Sequence, residues 1–322
     1  MGFNFAIMGA GSIAGKFVDA VRRVEGCKVV AVASKSKERA EDFARQFTIE
    51  RHYDSYEAML QEENIDCVYI ATTPNFHFEL ARLCLAYKIP VLCEKAMFMS
   101  RKEAENIFIE AKRQGVFVME AMWSRFLPAV KKAKEWLEDG RIGESSLINC
   151  IISYAFDPIK NKRNFDPILG GGAAFDLTVY AYELTDFFWG REHARLSVNA
   201  GWAKTGIDLW NHVNLSYGEN NEKMASLYSG CTAMADERIE IAGSKGRIIV
   251  PYPHHGDHAY LIDVAQNIKE EFVDVQTENG FVYEIEEVVK CIREGKIESE
   301  IVPHDLTLRC SELFDVIYTQ RS

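Results

Sequence analysis

The chain has 322 residues, which is enough for about two domains of ordinary size. Lys and Arg total 37 and Asp and Glu total 48, and the resulting net charge of −11 argues against a protein that binds nucleic acid through its phosphates, because that role needs a basic surface. Apolar residues make up 48% and charged residues 26%, as in folded proteins, and the lack of a run of about 18 apolar residues argues against a membrane-spanning helix.

The first 120 residues alternate short apolar runs with amphipathic stretches. Alternation on this scale indicates βαβ units and a doubly wound parallel sheet, the Rossmann arrangement of an α/β protein. The predicted strands are 3–8, 28–33, 66–71, 90–93 and 116–119, and the predicted helices are 12–24, 36–47, 75–87 and 100–113.

After about residue 125 the pattern changes. Strands with few helices between them predict a large, mostly antiparallel sheet, and Gly218 and Gly243 mark hairpin turns. We therefore predict an N-terminal Rossmann domain at 1–122 and a C-terminal α+β domain at 123–322, whose last helix can pack back on the first domain. The predicted strands are 145–155, 195–203, 209–217, 223–230, 237–242 and 246–250, and the predicted helices are 126–139, 171–189, 281–294 and 303–320.

The N-terminus and the cysteines indicate a cellular compartment. The first strand begins at Phe3, without the basic and long apolar stretches of a signal peptide before it. None of the eight cysteines forms a C-x-x-C pair, which fits small buried side chains in a reducing environment. We expect a cytoplasmic protein.

A glycine-rich turn, Gly9-Ala10-Gly11-Ser12-Ile13-Ala14, joins the first strand to the first helix. In this G-x-G-x-x-A pattern the first glycine allows a tight turn, the second lets the backbone approach a pyrophosphate, and the small third residue lets helix and strand pack closely. Free N–H groups at the helix N-terminus then face the diphosphate. We predict that Gly9, Gly11, Ser12 and Ile13 bind a dinucleotide; the alternative is a tight turn without a ligand.

The end of the second strand indicates which dinucleotide is bound. Sites that prefer NAD usually place Asp or Glu there to hold the ribose 2′-hydroxyl. This chain instead has Ser34-Lys35-Ser36-Lys37-Glu38-Arg39. Lys35 and Arg39 would attract a 2′-phosphate and Ser34 could donate a hydrogen bond to it, so we predict NADP(H), with NAD(H) possible. The alternative is a solvated helix start that happens to be basic.

Four further stretches carry a family resemblance: Ala71–His77 (ATTPNFH), Cys93–Ala96 (CEKA), Met119–Phe126 (MEAMWSRF) and Gly170–Tyr180 (GGGAAFDLTVY). In this order and spacing the whole chain resembles the Gfo/Idh/MocA oxidoreductase family. It is most similar to the branch of dimeric dihydrodiol dehydrogenases and NADP-dependent xylose dehydrogenases. The resemblance implies a Rossmann domain followed by an α+β domain, and a homodimer or homotetramer assembled through the C-terminal sheet.

The resemblance also implies roles for particular residues. Lys95 lies at the active site next to Glu94, although Ala96 replaces a proline that is usual after the lysine. Tyr180 stands where many members have His, but the dihydrodiol dehydrogenase branch has Tyr at this place, so the residue supports that branch. The first motif supplies cofactor contacts near the diphosphate and the nicotinamide ribose, from Thr72, Thr73, Pro74, Asn75 and His77.

Asp176 and Tyr180 are four residues apart on a predicted helix and so share one face. A Tyr hydroxyl has an ordinary pKa near 10, and a neighbouring Lys ammonium would favour the phenolate. We predict that Tyr180 exchanges the substrate proton, assisted by Lys95 and oriented by Asp176. The alternative makes Lys95 the direct acid/base. Trp123 and Arg125 are predicted to line the substrate pocket or to cap the nicotinamide end of the site, although packing at the domain junction explains Trp123 nearly as well.

Two other groups of side chains stand out in the second half of the chain. Tyr154, Phe156 and Phe165 are candidates for a substrate wall. His254, His255, Asp257 and His258 form the densest potential metal cluster, but they lie in a loop containing Pro and Gly, so we predict an exposed turn and no metal.

We therefore expect an oxidoreductase that transfers a hydride between NADP(H) and the CH–OH group of a small sugar, polyol or trans-dihydrodiol. A nucleotide-sensing regulator of the same fold and a lyase or hydrolase that uses NAD as a redox relay stay open. The presence of Lys95, Asp176 and Tyr180 argues against the regulator, and a site of the NADP type argues against the relay. The expected partner is a small molecule, with no nucleic acid and no membrane.

Overall fold

The computed structural model, which describes residues 2–190 and 195–321, contains a six-stranded and an eight-stranded sheet in two separate units. The first unit comprises Met1–Met122 and Glu278–Ser311, and the second comprises Trp123–Thr277 and Glu312–Ser322. The predicted domains assigned 278–311 to the second half of the chain, whereas these residues belong to the first unit. Within the described ranges, no helix has the length and apolar character needed to cross a membrane.

The sheet of the first unit is entirely parallel. Its strands are β1 (Phe3–Met8), β2 (Cys27–Ala33), β3 (Arg51–Tyr53), β4 (Cys67–Ile70), β5 (Val91–Glu94) and β6 (Val118–Ala121), and its helices include α1 (Ser12–Val21), α2 (Lys37–Gln46), α3 (Tyr56–Glu62), α4 (Pro74–Ala86) and α5 (Arg101–Gln114). The strand order β3-β2-β1-β4-β5-β6 is that of the doubly wound Rossmann fold. The predicted α/β Rossmann fold is confirmed.

Local capping fixes where these helices begin and end. The hydroxyl of Ser36 accepts a hydrogen bond from the backbone of Arg39 at the start of α2. Ser100 accepts one from the backbone of Glu103 at the start of α5, as the capping-box spacing predicts, and α5 ends at a left-handed Gly115. The sequence missed β3 and α3, because an edge strand of three residues and a helix of seven are too short for their periodicity to be seen.

The second unit is built on the eight-stranded sheet. Its elements are the 3₁₀ turn Trp123–Phe126, α6 (Pro128–Glu138), β7 (Ser145–Ser153), the 3₁₀ turns Lys162–Phe165 and Pro167–Leu169, the π-helical turn Ala174–Thr178, α7 (Val179–Trp189), β8 (Arg195–Trp202), β9 (Asp208–Tyr217), β10 (Lys223–Gly230), β11 (Arg238–Gly243), β12 (Gly246–Pro251), β13 (His258–Asp263) and β14 (Ile268–Val273). The strand order is β14-β13-β12-β11-β7-β10-β9-β8. Neighbours are antiparallel except β7 and β10, so the predicted mostly antiparallel sheet is confirmed.

Alternating burial gives this sheet two different faces. Ile239, Ile241 and Ile248 are fully buried, and α6 and α7 contact the sheet. The residues between them, such as Arg238 and Glu240, are only half-buried. The period of two places these two sets on opposite faces.

Two predictions in this unit were wrong in detail. The helix predicted at 171–189 begins later, with a π-helical turn at Ala174–Thr178 before α7. Strands β13 and β14 were not predicted, because β13 begins at His258, which was assigned to a histidine-rich loop, and β14, Ile-Lys-Glu-Glu-Phe-Val, contains three consecutive charged residues. The chain closes with α8 (Phe281–Arg293) and α9 (His304–Thr319), close to the predicted bounds, and α8 packs on α1.

Candidate active site

The turn after β1 needs both of its glycines, for different reasons. Gly9 has φ +111°, its N–H donates to the carbonyl of Ala33 at 2.8 Å, and a Cβ there would lie 2.6 Å from the carbonyl oxygen of Ala71. Gly11 caps α1, and a Cβ there would meet no atom within 4 Å. Gly9 is therefore required by the fold, whereas Gly11 keeps space open at the N-terminus of α1.

The residues around this open space fit the diphosphate of a dinucleotide. The first turn of α1 carries no acidic residue, and its free N–H groups suit an anion. Ser12 is exposed and Ile13 is half-buried at this end of α1. Ala14 is fully buried, and a Cβ on the next residue, Gly15, would lie 2.5 Å from the ring of Phe47. These small side chains let α1 approach its neighbours closely.

The end of β2 combines a buried serine with exposed cations. Ser34 is 6% exposed, and its hydroxyl accepts a hydrogen bond from the backbone of Ser36 at 3.4 Å. Lys35 is exposed, and its Nζ lies 4.1 Å from the centre of the Phe76 ring. Arg39 is exposed in the first turn of α2. The hydroxyl, the cations and the positive end of α2 suit an anionic group.

The residues after β4 form the start of α4. Pro74 is its first residue, and the hydroxyl of Thr73 donates to the side-chain oxygen of Asn75 at 2.6 Å. His77 is fully buried, with Nε2 3.1 Å from the carbonyl oxygen of Thr72. The predicted motif is therefore a rigid, internally bonded turn, and His77 holds its backbone.

Lys95 lies directly after β5 in a segment anchored from two sides. The carbonyl of Ala96 lies 3.0 Å from Nδ1 of His77. The N–H of Met97 donates to the carboxylate of Glu120 at 2.8 Å. The Lys95–Ala96 peptide bond is cis. The backbone carrying Lys95 is thus fixed by buried side chains of α4 and β6, although the usual proline is absent.

Glu94, the last residue of β5, directly precedes Lys95 and is a buried hydrogen-bond acceptor. It is 8% exposed, accepts from the Tyr69 hydroxyl, and accepts from the backbone of Lys95 at 3.3 Å. Burial and then the charge of Glu94 raise the pKa of Glu284 well above its usual range. Burial of Glu284 beside the Glu94 carboxylate thus favours the protonated form of Glu284.

Tyr180 lies in the first turn of α7 and is 7% exposed. The indole N–H of Trp123 donates to the Tyr180 hydroxyl oxygen at 3.2 Å. The ring of His254 lies 5.0 Å from the Tyr180 ring. Trp123 thus orients the hydroxyl that we predicted to exchange a proton.

Asp176 lies in the π-helical turn that precedes Tyr180. Its two carboxylate oxygens accept from Arg163 at 3.1 Å and from Asn164 at 2.7 Å. Asp176 and Tyr180 both interact electrostatically with Tyr154. The two predicted catalytic residues of the second unit therefore lie close to the same side chain, and their catalytic roles stay a prediction.

Asp208 holds the π-helical turn in place from β9. Its carboxylate accepts from the backbone of Ala174 at 2.9 Å and from the side chain of Asn211 at 2.8 Å. Gly172 has φ +110°, and a Cβ there would lie 2.3 Å from a carboxylate oxygen of Asp208. Glycine at position 172 is thus required by the close approach of β9.

Tyr154 joins two histidines that the sequence assigned to an exposed turn. Its hydroxyl lies 3.0 Å from Nε2 of His254 and 3.2 Å from Nε2 of His255. A carboxylate oxygen of Glu237 lies within 4.8 Å of a ligand nitrogen of each histidine, so the three residues could hold a metal ion. The predicted absence of a metal stays a prediction. His254 and Glu237 are buried, which corrects the expectation of an exposed loop at His254.

The remaining predicted residues have other partners. Arg125 is 4% exposed and donates to the carboxylate of Asp186 at 3.1 Å, so its guanidinium is part of a buried ion pair of the second unit. Asp257 and His258 form a pair with each other. The predicted role of Arg125 at the nicotinamide end stays a prediction.

Sequence reasoning missed Glu237 and Glu120. Glu237 is in phase with the buried residues Ile239 and Ile241, so the alternation of β11 already indicated an inward-facing carboxylate. Glu120 is one of four consecutive buried residues of β6 and is 2% exposed, where a charged side chain needs partners. Both signals are visible in the sequence once the strands are located.

The parallel sheet and the glycine turn after β1 define a dinucleotide-binding Rossmann unit, and the names of the relatives below support an NAD(P)-dependent oxidoreductase that acts on CH–OH groups. Residues 3–122 match the model of the oxidoreductase family with an NAD-binding Rossmann fold, and residues 130–249 match that of the Gfo/Idh/MocA C-terminal domain. The chain belongs to the Gfo/Idh/MocA oxidoreductase family, as its motifs predicted.

Relatives and solved structures resemble the chain over its whole length. It is 31% identical to trans-1,2-dihydrobenzene-1,2-diol dehydrogenase of Mus musculus, over 94% of this chain and 92% of that protein. An aldose–aldose oxidoreductase from Caulobacter crescentus superposes with a TM-score of 0.89 at 19% identity, over 99% of this chain and 97% of the other. A 3-ketoreductase from Actinomadura kijaniata, solved with NADP, has a TM-score of 0.87 at 22% identity, over 99% and 98%. The two solved structures show a shared fold.

Proposed function

We propose that this protein is an NADP(H)-dependent dehydrogenase or reductase that interconverts a CH–OH group and a carbonyl in a small sugar, polyol or diol. The Tyr180 hydroxyl carries the proposal, because Trp123 donates to its oxygen and Asp176 lies in the adjoining turn. Trans-1,2-dihydrobenzene-1,2-diol dehydrogenase, the relative at 31% identity, acts on a diol by its name. That name supports the CH–OH chemistry.

The end of β2 supports NADP(H) as the preferred cofactor. Lys35 and Arg39 are exposed, Ser34 offers a hydroxyl, and α2 begins with a serine cap at Ser36. A phosphate ester at the ribose 2′ position would gain charge-assisted hydrogen bonds from these groups. A 2′-hydroxyl would find no carboxylate among residues 34–37 to accept its hydrogen bond.

Proton transfer is assigned to Tyr180. A bound nicotinamide would supply the acceptor for the hydride of the carbinol carbon in the oxidative direction. Tyr180 takes the hydroxyl proton of the same substrate carbon, so that a carbonyl is left, and it returns the proton in reduction. Lys95 stabilises the phenolate by its positive charge, and Asp176 holds the groups around Tyr180 in place. The motifs shared with the family support the joint role of Lys95 and Tyr180.

The test is NADP⁺ reduction, followed at the reduced-nicotinamide absorbance band, with pentoses, hexoses, inositols and vicinal diols. Tyr180→Phe should lower kcat by about 10²–10⁴-fold while cofactor affinity stays unchanged, because only the exchangeable proton is lost. Near-normal turnover of this variant would reject the proton role. Purified protein that carries stoichiometric NAD would favour a redox-relay enzyme instead.

We also propose a cytoplasmic location and a homo-oligomeric assembly for this protein. All eight cysteines are free, which supports a reducing compartment such as the cytoplasm.

The sheet face opposite α6 and α7 carries half-buried side chains that include Ile249 and Tyr260. This mixed face supports a homodimer or homotetramer formed through the sheet of the second unit.

A further inference from the structure

Four polar side chains of the second unit converge on one point, and we name them the ligand cluster: Tyr154, Glu237, His254 and His255. The Tyr154 hydroxyl oxygen lies 3.0 Å from Nε2 of His254 and 3.2 Å from Nε2 of His255. One carboxylate oxygen of Glu237 and one ring nitrogen of each histidine lie within 4.8 Å of one another. Among the described residues, no other group of three His, Cys, Asp or Glu side chains brings its ligand atoms this close together.

Glu237 is a buried carboxylate with one oxygen already in use. The residue is 2% exposed, and Oε1 accepts a hydrogen bond from the backbone N–H of Ser153 at 2.7 Å, which fixes the orientation of the carboxylate. Oε2 is shielded from solvent and accepts no hydrogen bond of good geometry within the described part of the chain. Burying such an oxygen is costly unless it is paired, and a bound cation would offset that cost.

The spacing of the ligand cluster fits a tetrahedral ion. Zn²⁺ binds His nitrogen at about 2.0–2.1 Å and carboxylate oxygen at about 2.0–2.2 Å, so its ligand atoms lie about 3.3 Å from one another. The two distances from the Tyr154 oxygen to the imidazole nitrogens are close to this separation. His255 is exposed, so its ring can rotate to bring its nitrogen and the Glu237 oxygen to the same separation.

The chemistry of the ligand atoms selects the class of ion. Imidazole nitrogen suits Zn²⁺ and its neighbours among the first-row transition ions, whereas Mg²⁺ and Ca²⁺ prefer oxygen ligands. Two histidines and one glutamate are a known ligand set of Zn²⁺, which then has a fourth position to fill. In this protein the oxygen of Tyr154 lies at that position, since it adjoins both imidazoles and interacts electrostatically with Glu237.

The four ligands come from the ends of three neighbouring strands. Tyr154 directly follows β7, Glu237 directly precedes β11, and the two histidines follow β12 within four residues. These strands lie side by side in the order β12-β11-β7. A bound ion would therefore cross-link three strand ends, and binding to the folded state alone would stabilise the second unit.

We propose that the ligand cluster binds one divalent transition ion of the Zn²⁺ type through Glu237, His254 and His255, with the oxygen of Tyr154 as the fourth ligand. The inference goes beyond the proposed function and gives the ion no part in hydride or proton transfer. It departs from the sequence-based prediction of no metal. That prediction rested on an exposed turn, whereas Glu237 and His254 are buried.

The experiment titrates the full chain, first stripped of metal with a chelator and dialysed, with Zn²⁺ in a calorimeter. We expect one Zn²⁺ per chain, and no binding of Mg²⁺ or Ca²⁺ at the same concentrations. His255→Ala, at an exposed position, should weaken Zn²⁺ binding by at least about 10–100-fold, because the loss of an outer partner of a ligand already costs that much. Co²⁺ in place of Zn²⁺ should give the strong visible absorption of a tetrahedral ion.

Two further variants make the result specific to the ligand cluster. In Glu237→Gln the amide oxygen can still accept from Ser153, but the negative charge is lost, so Zn²⁺ binding should weaken by at least about 10-fold. His258→Ala is the matched control, because His258 pairs with Asp257 outside the cluster. This control should bind Zn²⁺ as the wild type does. Zn²⁺ should raise the midpoint of thermal unfolding of the wild type and of His258→Ala but not of His255→Ala.

Three outcomes would overturn the proposal. The first is a wild-type protein that binds no stoichiometric Zn²⁺. The second is unchanged Zn²⁺ affinity in both His255→Ala and Glu237→Gln, which would place the ion elsewhere. The third is equal weakening in His258→Ala and His255→Ala. None of these measurements uses turnover, so the failure of the metal site would leave the proposed oxidoreductase function standing.

Discussion

Variants of Lys35 and Arg39 test most directly whether the protein prefers NADP or NAD. Both are exposed at the end of β2 and the start of α2. In the Lys35→Ala/Arg39→Ala double variant, affinity for NADP should fall by about 10–100-fold, because charge-assisted bonds to a phosphate are lost, and affinity for NAD should change by less than about 3-fold. Fluorescence titration with each nucleotide measures both.

The control for this pair is Arg45→Ala. Arg45 is an exposed cation in the last turn of the same helix, where it pairs with Glu41 at 3.2 Å. Removing its charge should leave the affinity for both nucleotides unchanged. Equal weakening of NAD and NADP by the double variant would contradict the assignment of a 2′-phosphate site.

Asp208 gives a pH dependence to the stability of the second unit. Burial raises its pKa to about 7 against an ordinary value of 3.8, although hydrogen bonds from Asn211 and Ala174 oppose the shift. The folded state therefore keeps a proton that the unfolded state releases, and the stability present below pH 4 is lost as the pH rises toward 7. The loss should reach up to about 1.4 kcal/mol for each pH unit.

Asp208→Asn should remove this dependence, because the amide stays neutral at every pH. Urea unfolding at pH 4.5, 5.5, 6.5 and 7.5 measures the free energy of unfolding of both proteins. The free energy of unfolding of Asp208→Asn minus that of the wild type should increase as the pH rises. Parallel curves for the two proteins would show that Asp208 does not titrate in this range.

At the scale of elements, the π-helical turn depends on the glycine before it. Gly172→Ala places a Cβ 2.3 Å from Asp208 at φ +110°, which combines a steric clash with a strained backbone. We expect a loss of about 2–4 kcal/mol in the free energy of unfolding. Activity should fall with it, because Asp176 lies in the displaced turn and Tyr180 follows that turn. Urea unfolding and the NADP⁺ assay measure the two effects.

Gly140→Ala is the matched control at the end of α6. This glycine has φ +66°, and a Cβ added to it would meet no atom within 4 Å, so the substitution adds backbone strain without a clash. Gly140→Ala should lower the free energy of unfolding by about 1 kcal/mol and leave turnover unchanged. Equal losses in the free energy of unfolding of Gly172→Ala and Gly140→Ala would show that the clash with Asp208 adds nothing to the cost of backbone strain.

The sheet face of the second unit that lies opposite α6 and α7 predicts that whole molecules associate into a homo-oligomer. We expect light scattering to give a dimer or tetramer of the 36.6 kDa chain. Ile249→Glu should yield monomers, because a carboxylate buried in an interface without a partner is costly. Ile109→Glu makes the same change on α5, at a residue that is 67% exposed, and should not alter the mass. A wild-type monomer would exclude assembly through this face.

The fold of the first unit was predictable because its signals are local. Strands of continuous apolar residues, serine caps and the G-x-G-x-x-A turn all lie within a few residues of the structure they specify. The exceptions are informative. β3 and α3 are too short to show a period, and in the second unit the charged residues of β14 conceal an edge strand.

The Rossmann strand pattern, the phosphate turn and the cationic end of β2 are local features, since each depends on neighbours in the chain. The contact of Tyr154 with His254, 100 residues away, forms only in the folded second unit, where Glu237 is also buried. That meeting depends on the pairing of β11 with β7, which sets Arg238 opposite Ile151. Strand register is chosen by the packing of a whole sheet, and no short stretch of sequence contains it.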